Sequence, residues 1–264
     1  MSSSALPPIL PPEILDLIVE NLRDERTSLK ACCTVSKSWV SRARRHLFFD
    51  VQFVQQSPIP SWVEAFPDPS NSPAHHARVL SLFNRTAVTA ASTYARAWIL
   101  SFCHITELRL NSILLHDNRI DSFAQLHGLS PTLKSLLILF SSAPLSEIIN
   151  LICSFPLLED LLLLLSVNDD TAADGWEAPL TSPKLTGSLR LGGDIHSITR
   201  RLLGLPGGLH FSTIKMTPHV DDAELIVDLV LKCSDTLKSL YIGYSSSCAF
   251  SSATVVDQYL TVVL

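Results

Sequence analysis

Few of the residues in this sequence that could perform chemistry stand at the spacings that chemistry requires. The six cysteines form no CxxC pair and no zinc-ligand spacing, which favours buried free thiols in a reducing compartment. His75 and His76 are adjacent within a proline-rich stretch, and we interpret them as turn or surface histidines. No GxGxxG, P-loop or HExxH pattern occurs, so neither a phosphate-cradling loop nor a helical zinc site is predicted. The sequence therefore predicts a protein that is not an enzyme and that has neither a cofactor nor a metal.

Charge and hydropathy restrict the classes of partner. The chain carries 20 Lys and Arg against 25 Asp and Glu, a net charge of −5, so nucleic-acid binding, which requires a basic excess, is not predicted. The richest apolar run, 157–167, contains Glu159 and Asp160 and is too short and too charged to cross a bilayer. Because the N-terminus lacks a basic segment ahead of an apolar core, no signal peptide is predicted. We expect the protein in the cytoplasm, the nucleus or both.

The first 50 residues predict three short helices. Pro11 and Pro12 precede the first helix, where a missing N–H costs nothing. Its apolar residues recur at helical spacing: Ile14, Leu15, Ile18, Val19 and Leu22. We expect Thr27 or Ser28 to cap the second helix. The third is expected from about Ser36 to His46.

Behind this helical head, one apolar pattern repeats along the chain. The motif apolar-x-x-apolar-x-apolar recurs every 25–29 residues, and helical patterns lie between its copies. Its central residues, called the anchors here, are Val51, Leu80, Leu108, Leu136, Leu161, Leu189, Ile214 and Leu240. The copy at Leu189 is irregular because Thr186 stands where an apolar residue is expected. One strand and one helix per 25–29 residues is the unit of a leucine-rich repeat, whose neighbours stack into a continuous core.

The sequence thus predicts an α/β solenoid in two parts. Residues 1–50 form the helical head, and residues 51–264 form the degenerate repeat array. Residues 57–73 interrupt the array as a Pro/Ser-rich surface excursion, in which the capping-box pattern 61–64 predicts one helical turn. The chain stops at Leu264, where the spacing predicts a further strand after Val255, Val256, Tyr259 and Leu260. A truncated array is therefore one expectation.

Residues 6–49 resemble the F-box, a family that reads Leu-Pro-x-Glu, an Ile/Leu-rich helix, a leucine and then Val-Ser-x-x-Trp. The Pro11-Pro12 doublet lengthens the first spacing by one residue. The repeats are similar to those of fungal-type F-box proteins with leucine-rich repeats, although short polar residues stand near the usual asparagine position. The matching residues are Leu10, Pro11, Glu13, Ile14, Leu15, Ile18, Leu22, Leu29, Val35, Ser36 and Trp39.

The resemblance implies a substrate receptor of a Skp–cullin–F-box ubiquitin ligase. The F-box would bind the Skp-type adaptor, and the repeats would hold a protein substrate for ubiquitination. A head of about 40 residues is too small to bury a sufficient core, which favours a partner on its surface. The alternatives are an interaction scaffold without a ligase role and, for Trp39 and Leu22, packing against the first repeat only. The residues expected to bind the adaptor are Leu10, Pro11, Glu13, Leu15, Ile18, Leu22, Leu29, Val35 and Trp39.

Alternation along the strands predicts where the substrate would bind. Side chains between the repeat leucines point away from the core, and most of them are polar. In the middle copies four leucines occupy these positions, bordered by charged residues, which is typical of a binding surface. The other interpretation is that a loop or the C-terminal segment covers them. The predicted substrate-binding residues are Arg109, Leu137, Leu139, Leu162, Leu164, Arg190, Lys215 and Tyr241.

Overall fold

The protein has an α/β fold built around one large sheet, so the α/β part of the prediction is confirmed. The computed structural model describes ten ranges of the chain. They are residues 11–54, 58–83, 99–111, 126–129, 132–141, 144–165, 179–193, 195–218, 222–243 and 259–263.

Three helices form the N-terminal head: α1 (Pro12–Asn21), α2 (Arg26–Val35) and α3 (Lys37–Leu47). The predicted cap of α2 is wrong. Glu25 is its N-cap, because the Glu25 carbonyl already accepts the first helical hydrogen bond, from Leu29 N at 3.0 Å. Ser28 lies inside the helix, where its hydroxyl donates to the Glu25 carboxylate at 2.8 Å.

The head has a small core of its own. Val19, Leu29, Cys32 and Ala43 are buried together, one or two from each helix. At the surface, Arg42 Nε of α3 donates to Asp16 Oδ1 of α1 at 2.5 Å, and His46 Nε2 lies 3.4 Å from Glu20 Oε2. These contacts join α1 directly to α3, although α2 separates the two helices in the chain.

The Pro/Ser-rich excursion contains more regular structure than its prolines predict. Helix α4 (Pro58–Ala65) is longer than the single predicted turn, because prolines in the first turn remove N–H groups that lack helical partners anyway. Two 3₁₀ turns follow, Pro69–Asn71 and Pro73–His76. Their caps are side chains: Asp68 accepts from Ser70 N at 3.0 Å, and Ser72 accepts from Ala74 N at 3.3 Å.

Nine strands of the described residues form the sheet in the order of the chain, which needs no crossover between distant strands. The strands are β1 (Asp50–Phe53), β2 (Val79–Phe83), β3 (Glu107–Asn111), β4 (Ser135–Ser141), β5 (Asp160–Leu165), β6 (Leu185–Gly193), β7 (Leu209–Met216), β8 (Ser239–Gly243) and β9 (Tyr259–Val263). Strands β1 to β8 are parallel, and β9 pairs with β8 in the antiparallel direction. The prediction of a further strand after Leu260 is therefore wrong in position: residues 259–263 themselves form the next strand, which runs antiparallel to β8.

The repeat period is confirmed residue by residue. Each predicted anchor is the register partner of the next anchor, from Val51↔Leu80 through to Ile214↔Leu240. The anchors and the residues two positions later face a helix layer, which includes α5 (Leu145–Cys153), α6 (Ile195–Leu203) and α7 (Ala223–Lys232). One continuous apolar core lies between the two layers.

Backbone hydrogen bonds fix each unit to the next at the start of the strands. The carbonyl of Thr106 accepts from both Lys134 N and Ser135 N at 2.9 Å, and the carbonyl of Lys134 accepts from Glu159 N and Asp160 N at 2.7 and 2.8 Å. Each shared acceptor satisfies two backbone N–H donors of the next unit. The strands can therefore stack in only one register.

The irregular copy at Leu189 pairs with the next strand through a β-bulge, in which Ser212 of β7 is the extra residue. The register of β6 against β7 shifts after Gly187, and Leu185, four residues before the anchor, is the buried residue instead of Thr186. Gly187 adopts φ +79°, and a Cβ there would overlap the carbonyl oxygen of Glu159. Glycine is therefore required at this point.

Leu136 and Leu137 of β4 provide a matched test of the register. Leu136 is fully buried in the core, whereas Leu137 lies half-buried on the opposite face. We expect Leu136→Ala to lower the free energy of unfolding by about 2–5 kcal/mol and Leu137→Ala by about 1 kcal/mol or less. Urea unfolding of both variants measures this difference. Equal losses would contradict the assigned register.

Candidate protein-interaction surfaces

The sheet face away from the helices brings the four predicted leucines together. Leu137 of β4 is the register partner of Leu162 of β5, and Leu139 is the partner of Leu164. Neighbouring strands lie ~4.8 Å apart, and alternate residues of a strand ~6.7 Å. The four side chains, called the leucine patch here, therefore occupy a rectangle of about 5 by 7 Å. All four are half-buried, so each keeps part of its apolar surface accessible.

The leucine patch extends over β6 because that strand has a glycine at the matching position. Gly192 is the register partner of Leu164, and a Cβ on Gly192 would overlap Leu164 Cδ2. The Leu164 side chain thus covers Gly192, which is buried. Sequence reasoning did not predict a role for Gly192. The sequence signal is a glycine at a position where the two flanking units have Leu164 and Thr217.

The charges on the two sides of the leucine patch differ. On the β3 side, Arg109 Nε donates to Glu107 Oε1 at 2.6 Å, and Arg109 Nη1 lies 3.7 Å from Asp50 Oδ2. On the other side, Arg190 is exposed, and Lys215 Nζ lies 4.5 Å above the centre of the Tyr241 ring. Within the described part of the chain, neither Arg190 nor Lys215 forms an ion pair. One side of the patch therefore carries an arginine paired with two carboxylates, and the other side carries two basic residues.

The head exposes apolar residues of α1, among them Leu17, which the sequence did not single out. Ile14 and Leu17 are 43% and 59% exposed. With the half-buried Ile18 they occupy positions i, i+3 and i+4, which is one side of a helix. These three residues are called the α1 stripe here. Leu17 was missed because an exposed leucine inside an apolar helical pattern has the same sequence signal as a buried one.

The structure distributes the predicted adaptor-binding residues over surface and interior. Pro11, Glu13 and Val35 are exposed, and Ile18, Leu22 and Trp39 are half-buried. Leu15 is 6% exposed and Leu29 is fully buried, so a partner docking on this surface would not contact Leu29 directly. Leu10 lies outside the described residues.

Leu22 and Trp39 pack against the core of the head. The alternative in which these two residues pack only against the first repeat is therefore wrong. A side chain that is half-buried on its own module still presents part of its surface outward.

Aromatic rings join the head to the sheet. The Trp62 ring of α4 lies 5.8 Å from Phe48, after α3, and 5.7 Å from Phe53 of β1, both edge to face. A cavity of about 380 Å³ lies beside these rings, lined also by Arg26 and Asp50. Asp50 Oδ1 is buried there with no hydrogen-bond partner among the described residues. These ring pairs contribute to the contact between the head and the sheet, since such pairs are worth about 0.5–1.5 kcal/mol each.

Burial favours the protonated form of two thiols, those of Cys153 and Cys233. It raises the pKa of Cys153 to about 11 and also raises the pKa of Cys233. A thiol of this kind is a poor nucleophile and a poor metal ligand. Across the ranges that the structure describes, no group of three or more His, Cys, Asp or Glu side chains is placed to hold a metal ion.

Comparison with known proteins assigns no family. No protein-family model matches the chain, and no curated protein matches it by sequence. No helix within the described ranges is both long and apolar enough to cross a bilayer. The function proposed below therefore depends on the motif resemblance and on the two surfaces.

Histidine at position 76 makes the stability of the head–sheet junction depend on pH. Burial, with His75, Arg45, Arg44 and Arg78 nearby, lowers the pKa of His76 from 6.5 to about 4. The unfolded chain takes up this proton below pH 6.5 while the folded protein does not, so stability falls as the pH falls from about 6.5 to about 4.

Glutamine does not titrate, so between pH 7 and pH 5 we expect His76→Gln to lose about 1 kcal/mol less of its free energy of unfolding than the unmodified protein. The effect is no larger because solvent screens a partly exposed ring. Urea midpoints at pH 7 and pH 5 measure it, with His104→Gln, at an exposed position, as the matched control. An unchanged pH dependence in His76→Gln would contradict the assignment.

Proposed function

We propose that this protein is the substrate receptor of a Skp–cullin–F-box ubiquitin ligase. The helical head would be the F-box that binds the Skp-type adaptor, and the sheet would be a solenoid of degenerate leucine-rich repeats that holds a protein substrate. The protein would thus act without catalysing a reaction itself, in the cytoplasm or the nucleus. The observation that carries the proposal is a three-helix head with an exposed apolar helix side, followed directly by a one-strand-per-unit parallel sheet.

The topology of the sheet supports the repeat assignment. Each unit adds one strand beside the previous one, with its anchor in register, and contacts mainly its neighbours. Stacked units of this kind are the architecture of solenoid repeat proteins, which offer one long face for binding. In this chain, the face away from the helices carries the leucine patch.

The composition of the head supports the adaptor assignment. Among the described residues of the head, the buried core cluster has four members, and Ile14, Leu17 and Val35 are substantially exposed. Exposed apolar area is stabilised when a partner removes it from water. Leu15 and Leu29 would then act indirectly, by holding the helices that present the α1 stripe.

Leu17→Asp tests adaptor binding without disturbing the interior, because Leu17 is 59% exposed. We expect full-length Leu17→Asp to bind a purified Skp-type adaptor at least about 30-fold more weakly than the unmodified protein, as for a hot-spot residue worth about 2 kcal/mol. Isothermal titration calorimetry measures both affinities.

Leu231→Asp is the matched control, since Leu231 is 63% exposed on α7 of the repeat array. It should bind the adaptor normally. If the unmodified protein binds no Skp-type adaptor, or if Leu17→Asp binds as tightly as Leu231→Asp, the F-box assignment is overturned.

The ligase role needs a second measurement. A complex of the protein with adaptor and cullin should support ubiquitin transfer to a protein bound at the repeats, and Leu137→Asp with Leu162→Asp should abolish that transfer. Adaptor binding without any transfer would favour the scaffold alternative. Unfolding of the double variant, seen as a lost urea transition, would instead place these leucines in the core.

A further inference from the structure

The charged residues on the two sides of the leucine patch differ, which makes the patch asymmetric. Arg109 is paired with the two carboxylates of Glu107 and Asp50, so the β3 side offers a ligand no free cation. Arg190 lies one strand away from Leu162, on β6, and Lys215 lies one strand further, on β7. At ~4.8 Å per strand, the Cα atoms of Arg190 and Lys215 lie about 5 and 10 Å from that of Leu162.

At the start of β5 the charge has the opposite sign. Asp160, at the start of β5, is exposed and precedes the leucines by two and four positions. Acidic groups of a ligand are therefore repelled at that edge and attracted towards β6 and β7. The surface can distinguish the two orientations of an asymmetric ligand.

We infer that the leucine patch binds a protein segment in which two apolar side chains are followed within about one to four residues by carboxylates. The apolar side chains cover the leucines, and the carboxylates meet Arg190 and Lys215. The size fits, because a rectangle of about 5 by 7 Å accepts side chains at i and i+3 or i+4 of a helix, or at i and i+2 of a strand. This inference rests on the proposed function in one respect: the segment would belong to the substrate.

Two cations are too few for a nucleic-acid ligand in a chain with a net charge of −5, since such binding needs many phosphate contacts. A charge at the rim of an apolar surface mainly sets orientation and specificity. The apolar contact then supplies most of the affinity.

The test uses the full-length protein and an array of labelled 12-residue peptides, each with two leucines and two glutamates at all spacings of one to four residues. A second array has lysines in place of the glutamates, and a third has serines in place of the leucines. We expect peptides of the first array to bind, and binding to weaken about 10-fold or more in the other two arrays, as measured by fluorescence anisotropy.

Charge reversal sharpens the test. Arg190→Glu with Lys215→Glu should bind the glutamate peptides about 10-fold more weakly and the lysine peptides more tightly than the unmodified protein does. Lys30→Glu with Lys232→Glu, which reverses two exposed charges on helices α2 and α7, should change neither affinity. Failure of every glutamate peptide to bind, or charge reversal without exchange of preference, overturns the inference. Binding instead to vesicles of phosphatidylcholine and phosphatidylserine, through the same two cations and without peptide binding, also overturns it.

The two proposals fail separately. If adaptor binding depends on Leu17 while no peptide binds, the inference is wrong and the ligase assignment stands. If the peptides bind selectively while no Skp-type adaptor binds, the surface chemistry stands and the ligase assignment is wrong.

Discussion

The register of the parallel strands is the constraint on which this structure depends. Because side chains alternate along a strand, a slip of one residue would move every anchor leucine from the core to the open face. The shared carbonyl acceptors at the strand starts and the in-register anchors from Val51 to Leu240 exclude such a slip together. Apolar stacking and backbone pairing therefore specify the same arrangement, which is the consistency expected of a stable fold.

Because of this register, neighbouring residues of a strand have different structural roles. Leu136 and Leu137 have the same side chain, yet one closes the core and the other belongs to the open face. The open face can vary in composition without cost to the core, so it carries polar residues in most units and leucines in β4 and β5. A binding surface on such a fold is set by the residues between the anchors and leaves the anchors unchanged.

The irregular features lie where two parts of the chain must fit. The register shift between β6 and β7 lies beside Gly187, and there Leu185 enters the core where Thr186 stands at the usual apolar position. At the other end, the Trp62 ring packs between Phe48 and Phe53 and joins the head to the sheet. Both features are local irregularities, and neither changes the order of the strands in the sheet.

The sequence by itself determined the repeat period, the anchor residues, the three helices of the head and the alternation that places four leucines on one face. These follow from local spacing, which a strand or helix converts directly into a face. Tertiary structure alone decided which head leucines are exposed, the neutralisation of Arg109 by Asp50, the burial of Gly192 under Leu164 and the antiparallel return of β9. Each of these depends on contact between segments far apart in the chain, and the spacing within one segment carries no record of which neighbour will cover it.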